Sequence, residues 1–131
     1  MREILFRGQT RRKGEKVRMD GSPVDSNWVY GGILPGEGDR SIIYQTEPEI
    51  DKFPVYSDTV GQYTGVKDKN GTRIFGGDIV NCNYFCGVVY FYEGAWCVSE
   101  KDKYPEDLYD LINIEVIGNI YDNPELLEGV S

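Results

Sequence analysis

Cys82, Cys86 and Cys97 are the residues whose chemistry is least ordinary, since thiolates bind zinc and attack carbonyls. A structural zinc site needs four ligands and usually a close cysteine pair. Cys82 and Cys86 are four apart, Cys97 lies across an expected hairpin, and no His completes the set. A nucleophilic cysteine needs a base, and His is absent too. The expectation is three reduced thiols, buried as small apolar residues, with no metal and no cofactor. Glu106, Asp107 and Asp110 are the densest acids. A helix starting at Pro105 would set Glu106 and Asp110 one turn apart, a spacing able to hold a hydrated Mg²⁺. They flank Leu108, Tyr109 and Leu111, so a solvated polar face is the simpler account. Gly61, Gly65, Gly71, Gly76 and Gly77 do not make a phosphate loop, because Asp78 and a strand follow them where Lys-Ser or Lys-Thr and a helix are required. Asp78 is expected to bond backbone N–H groups of its own turn. Tyr90, Phe91, Tyr92 and Trp96 could stack bases, but residues 74–131 carry −9 and lack the cations such a site needs. Core packing or a protein interface suits them better.

The elements that position these residues are strands. The chain has 131 residues, enough to bury a core without disulfides or metal. Its 10 Tyr, 5 Phe and 16 Gly favour short strands and turns over a helical bundle. No apolar run approaches the roughly 18 residues of a membrane span, and the charged first residues do not form a signal sequence. The odd cysteine count without an export signal fits a reducing cytosol. The net charge of −8 is uneven: residues 1–18 hold seven bases against two acids, and residues 19–131 carry −13. Such a body repels phosphate backbones, so nucleic acid is not the expected partner. The basic stretch reads as a solvated hairpin tip.

Residues 3–7 read as a first strand, with Gly8 opening a break and a loop through Lys16. Residues 19–23 form a turn signal. Residues 28–34 and 41–45 make a hairpin around the turn at residues 35–39, and the Gly31-Gly32 pair inside the first arm marks a bulge or a close backbone approach. Residues 47–52, with Pro48, read as a connector. Asp68-Lys69-Asn70-Gly71 is the strongest hairpin turn in the chain. Strands follow at residues 72–75 and from Ile79, then a hairpin at residues 87–98 whose first arm is apolar on both faces, as in a strand covered twice. A short helix is expected over residues 105–112 and a last strand over residues 114–121. A small helix then follows, with Asn123 as N-cap, Pro124 at N1 and Gly129 as its end.

The motifs Thr59-Val60-Gly61-Gln62-Tyr63-Thr64-Gly65-Val66-Lys67-Asp68-Lys69-Asn70-Gly71 and Ile74-Phe75-Gly76-Gly77-Asp78-Ile79-Val80 resemble the signature of the YopX family of phage and prophage proteins. So do the opening Arg2-Glu3-Ile4-Leu5-Phe6-Arg7, the block Trp28-Val29-Tyr30-Gly31 and the ending Glu115-Val116-Ile117-Gly118-Asn119-Ile120-Tyr121-Asp122-Asn123-Pro124-Glu125-Leu126-Leu127. Gly76 departs from the Glu common at that position, so no carboxylate role attaches there. The resemblance implies a phage or prophage origin and a cytoplasmic setting in the bacterial host; it carries no activity with it.

The expected fold is mainly β: an antiparallel N-terminal meander with a basic arm over residues 1–58, and a small barrel-like unit with a short C-terminal helix over residues 59–131. Gly61, Tyr63, Gly65, Asp68, Asn70, Gly71, Gly77, Asp78, Gly118, Asn119, Asn123 and Pro124 are read as architectural, and Phe6, Trp28 and Tyr30 as interface anchors. The expected function is non-enzymatic binding, either to further copies of the chain or to a host or phage protein. An acidic mimic of DNA that inhibits a nucleic-acid enzyme is the alternative, and a metal-dependent enzyme using the 106–110 acids ranks below it.

Overall fold

The computed structural model describes residues 4–14, 26–46, 49–82, 85–100 and 103–128. The chain divides into two compact units, Met1–Gln62 and Tyr63–Ser131.

In the first unit, β1 (Phe6–Arg11), β2 (Asn27–Pro35), β3 (Arg40–Gln45) and β4 (Asp51–Tyr56) form an antiparallel meander, each strand bonded to the next in the chain. The first residues of β5 (Gly61–Lys67) extend it, Gly61 lying opposite Arg7 and Gln62 opposite Phe6. β1 pairs with β2, and the described residues of the basic stretch, 4–14, are strand and turn. Glu3, residues 15–25 and residues 47–48 lie outside the described residues, and with them the turn expected at 19–23.

Two expectations fail here. Gly8 does not break β1: a Cβ on it would come within 2.7 Å of Val55 Cγ2, so the glycine lets β1 close down on buried Val55. Asp51 and Lys52, read as connector, open β4. Pro54 sits inside that strand without cost because β4 is the edge of the meander, where a missing N–H is not needed. The glycine pair in β2 does mark a close approach. A Cβ on Gly31 would collide with the Tyr44 carbonyl, and one on Gly32 with the Tyr44 ring.

In the second unit, the rest of β5 pairs with β6 (Arg73–Phe75). Beside them, β7 (Asp78–Asn81), β8 (Cys86–Tyr92), β9 (Ala95–Ser99), β10 (Glu106–Asp107) and β11 (Glu115–Asn119) form an antiparallel sheet in the order β10-β9-β8-β7-β11. The sheet is open, with β10 and β11 as its edges, rather than a closed barrel. Its core holds Ile74, Val80, Cys82, Val89, Val98, Leu108 and Ile114. The only α-helix among the described residues is α1 (Glu125–Glu128).

Three further expectations are corrected. Residues 105–112 are not a helix. Glu106 and Asp107 pair with Val98 and Cys97, and only a single 3-10 turn, Leu108–Asp110, follows. The β8 arm is covered only along its first part: Val89 is fully buried and Val88 and Tyr90 half-buried, while Phe91 and Tyr92 at the hairpin end are 60% and 47% exposed. The last strand stops at Asn119, because residues 119–123 turn sharply around two asparagine side chains. Among the described residues no helix is long and apolar enough to cross a membrane.

Candidate functional site

The motif residues of the second unit converge on β11. Asp68, buried at the end of β5, accepts backbone N–H groups from Asn70 and Thr72 at 2.9 Å through Oδ1, and from Val116 at 3.0 Å through Oδ2. One carboxylate therefore closes its own turn and ties it to a strand 48 positions away. Burial pushes its pKa up, but the N–H groups of Val116, Thr72 and Asn70, with the Lys69 ammonium, outweigh that and hold it below the usual carboxylate range. Lys69 N donates to the Ile114 carbonyl at 2.9 Å, and Lys69 Nζ lies 3.5 Å from Glu115 Oε2. Gly71 takes φ of +84° in the turn. Upstream, Gly65 at φ +88° sits where the β5–β6 register shifts between Tyr63 and Lys67; buried Tyr63 packs on Phe75 at 5.6 Å.

The second motif meets the C-terminal one. Asp78 Oδ2 accepts the Phe75 N–H at 2.7 Å, the backbone role expected of it. Gly77, at φ +93°, donates to the Val89 carbonyl and accepts from Ile120 N, with the Tyr121 ring 3.2 Å from where a Cβ would stand. Asn119 lies opposite Asp78 in the ladder, and its Oδ1 accepts from Tyr121 N and Asp122 N. Asn123 Oδ1 accepts from Asn119 N at 3.2 Å instead of serving its own helix, and Gly118 is bare because a Cβ would press on that oxygen at 2.6 Å. Pro124 then opens the turn of α1, its carbonyl accepting from Leu127 N. These carboxylates and amides are spent on backbone N–H groups.

Among the described residues the three cysteines do not gather into one cluster. Cys82 shares the core face with Val80, whereas Cys86 stands opposite exposed Asn81 on the other face of the ladder. Cys97 pairs with Tyr90, four residues along β8 from Cys86, which is about 13 Å of strand. Burial raises all three thiol pKa values; Cys86 and Glu106 add to it at Cys82, Glu100 at Cys86, and Asp107 and Glu93 at Cys97. Of the acid cluster, Asp107 Oδ1 is engaged by Tyr109 N at 2.9 Å. Among the described residues no three His, Cys, Asp or Glu stand close enough to hold a metal ion.

One face of the first unit's meander leaves large apolar residues partly exposed, although Arg7 and Gln9 at its β1 side are buried. Directly paired residues share a face. The pairs Arg7–Tyr30, Gln9–Trp28, Gly32–Tyr44, Leu34–Ile42, Ile42–Pro54, Tyr44–Lys52 and Arg40–Tyr56 put all of these on one side. Tyr30 is 45% and Leu34 41% exposed, and the Tyr44 ring lies across Gly32 between them. Each end of this stripe carries guanidinium on aromatic: Arg7 over Trp28 at 4.6 Å, and Arg12 and Arg40 over Tyr56 at 4.1 and 3.7 Å. No strand position of the face carries a carboxylate; Asp58 and Asp39 stand at its rim, paired with Arg12 and Arg40. Of the three expected anchors, Trp28 and Tyr30 lie here together. Phe6 pairs with Gly31 on the opposite face. Leu34, Ile42 and Tyr44 were missed, although the alternation Trp28-x-Tyr30-x-Gly32-x-Leu34 is visible in the sequence.

A family described as YopX protein matches residues 13–128. The crystal structure of protein EF1440 from Enterococcus faecalis is similar at a TM-score of 0.50 and 20% identity, over 97% of this chain and 99% of that one. At that identity the likeness is one of fold. No curated protein matches the chain.

Proposed function

The chain belongs to the YopX family, and from that premise we propose that it is a non-catalytic phage or prophage accessory protein that works by binding protein, its own copies or a host or phage partner. The observation that carries this reading is the face of β2, β3 and β4. It holds Trp28, Tyr30, Leu34, Ile42 and Tyr44 in one stripe, with Tyr30 45% and Leu34 41% exposed. Tyr, Trp and Arg are the residue types that anchor protein interfaces, and here Arg sits on the aromatic rings. Against an enzymatic role stands the use already made of the candidate groups: Asp68, Asp78 and Asp107 hold backbone amides, and burial keeps the thiols protonated.

Hydroxyl-radical footprinting of the full chain tests this, comparing dilute protein, concentrated protein and protein in host lysate. Labelling of Trp28, Tyr30 and Tyr44 is expected to fall in at least one of the last two conditions, while Tyr104, 95% exposed, stays reactive. Equal labelling of the stripe in all three conditions refutes the docking reading.

A further inference from the structure

Beyond the end of β9 lies a cavity of about 340 Å³, lined among the described residues by Phe85, Glu100, Lys103, Tyr104 and Glu106. A volume above roughly 300 Å³ is that of a small-ligand pocket. Register explains its place in the second unit. Glu106 lies opposite fully buried Val98. Next to the Asn81–Cys86 pair, the N–H of buried Cys82 donates to the Phe85 carbonyl at 2.8 Å. Paired residues share a face, so Phe85 and Glu106 stand on the side of the sheet that carries the core. Tyr104, 95% exposed, forms the open rim.

The acids of this cavity are used differently from the others. Asp68, Asp78 and Asp107 hold backbone amides, and Glu93, at φ +48° in the β8–β9 turn, is exposed to water. The Glu100 side chain is only 19% exposed, and among the described residues its carboxylate has one partner, Lys103 Nζ at 3.1 Å from Oε2. An ionised carboxylate offers about four acceptor sites, so most of this one's capacity is unused in a largely buried place. Lys103 reaches it from the solvent side, with its own side chain 68% exposed. Glu106 has no side-chain hydrogen bond or ion pair among the described residues. Burial, then Cys86 and Glu106, raise the Cys82 thiol pKa; burial, then Glu100, raise that of Cys86, so both carboxylates bear on the strands beneath.

We propose that this cavity binds a primary alkylammonium group, its head between Glu100 and Glu106 and its stem along Phe85. Two carboxylates and one ammonium leave the lining at −1, which a monocation cancels. Three N–H donors match the unused acceptor sites, and an aromatic ring beside the charge adds to the attraction. A metal ion is a poorer occupant, because among the described residues no three His, Cys, Asp or Glu stand close enough to hold one. Lys103 already displays the chemistry, its own ammonium resting on Glu100. A free amine and a lysine side chain of another protein offer the same group.

Titration of the ¹⁵N-labelled full chain with n-pentylammonium chloride at constant ionic strength tests this, read at the backbone amides of Phe85, Lys103, Tyr104 and Glu106. Saturable shifts are expected at about millimolar concentration, the affinity reasonable for so small a ligand. 1-Pentanol, which keeps the stem without the charge, and pentyltrimethylammonium, which keeps the charge without N–H groups, should each bind about tenfold more weakly or worse. Glu100→Gln should weaken pentylammonium binding about tenfold and exposed Glu106→Gln about threefold. Lys103→Met should strengthen it, because the competing ammonium is gone. Unchanged amide positions away from the cavity show that each variant is folded. The blocked tripeptide Gly-Lys-Gly distinguishes the sources: tighter binding than pentylammonium favours a lysine side chain, and weaker binding a free amine. No saturable shift at these amides, equal binding of 1-pentanol, or undiminished binding by Glu100→Gln overturns the proposal.

Discussion

Removing the Asp68 carboxylate tests the claim that the middle motif is architecture. Its two oxygens accept three backbone N–H groups, at 2.9, 2.9 and 3.0 Å. Hydrogen bonds to a charged acceptor are worth about 1.5–3 kcal/mol each. Asn70 and Thr72 are exposed, so water replaces part of their loss, whereas Val116 is half-buried. Asp68→Ala should therefore cost about 2–4 kcal/mol. Asp68→Asn keeps one carbonyl oxygen for the turn but sets an NH₂ against one of the donors, for about 1–2 kcal/mol. The pH dependence follows from the direction of the shift. The folded pKa lies below the unfolded one, so the carboxylate's contribution is complete above the unfolded value, near 4, and is lost as pH falls through the folded value. The gap between wild type and Asp68→Asn in urea midpoint should be constant from about pH 7 to pH 5 and narrow below about pH 4. Equal midpoints at neutral pH, or a gap that widens in acid, refute the reasoning.

Gly71→Val should cost about 1–2 kcal/mol through its φ of +84° alone, since nothing lies within 4 Å of the new Cβ; an unchanged melting temperature refutes it. Glu93→Asn should raise stability by about 0.5–1 kcal/mol by relieving the turn, read as a higher melting temperature, and a lower one would show that Glu93 makes a stabilising contact within its own chain. All three thiols should react with Ellman's reagent once the chain is denatured and much more slowly when it is native at neutral pH, because burial keeps Cys82, Cys86 and Cys97 protonated. Rapid native reaction, or fewer than three thiols in denaturant, counts against that account.

Features set by neighbours in sequence were readable. The turn at residues 68–71 is one, because an aspartate that bonds its own amides and an Asn-Gly pair need no distant partner. The hairpins at residues 28–45 and 87–98 are others. Features that depend on a distant partner were not. Gly8 has the same composition signal as a turn glycine, and only Val55, 47 positions on, distinguishes it. Pro105 followed by acids is a good helix start, but pairing of Glu106 and Asp107 with β9 overrides it. Asp68 showed its turn and concealed its bond to Val116.

The same division governs the candidate surface. Trp28 and Tyr30 were visible as anchors from their types, yet the face they belong to is a matter of register. A single residue of slip between β2 and β3 would put Tyr44 and Ile42 on the other side, and one between β1 and β2 would bring Phe6 onto the side of Trp28. Net charge misled for a related reason. A total of −8 describes the far field, but a docking partner responds to groups within about a Debye length, roughly 8–10 Å. At that range Arg12 and Arg40 of the β2–β3–β4 face are paired with Asp58 and Asp39, and Lys52 adjoins Asp51, so the face is close to neutral. The acidic total belongs to the second unit, whose residues 63–131 hold twelve acids against five bases. Salt dependence of self-association separates the two descriptions: repulsion between acidic bodies predicts assembly strengthened by salt, and an apolar contact through the near-neutral face predicts assembly little changed by it.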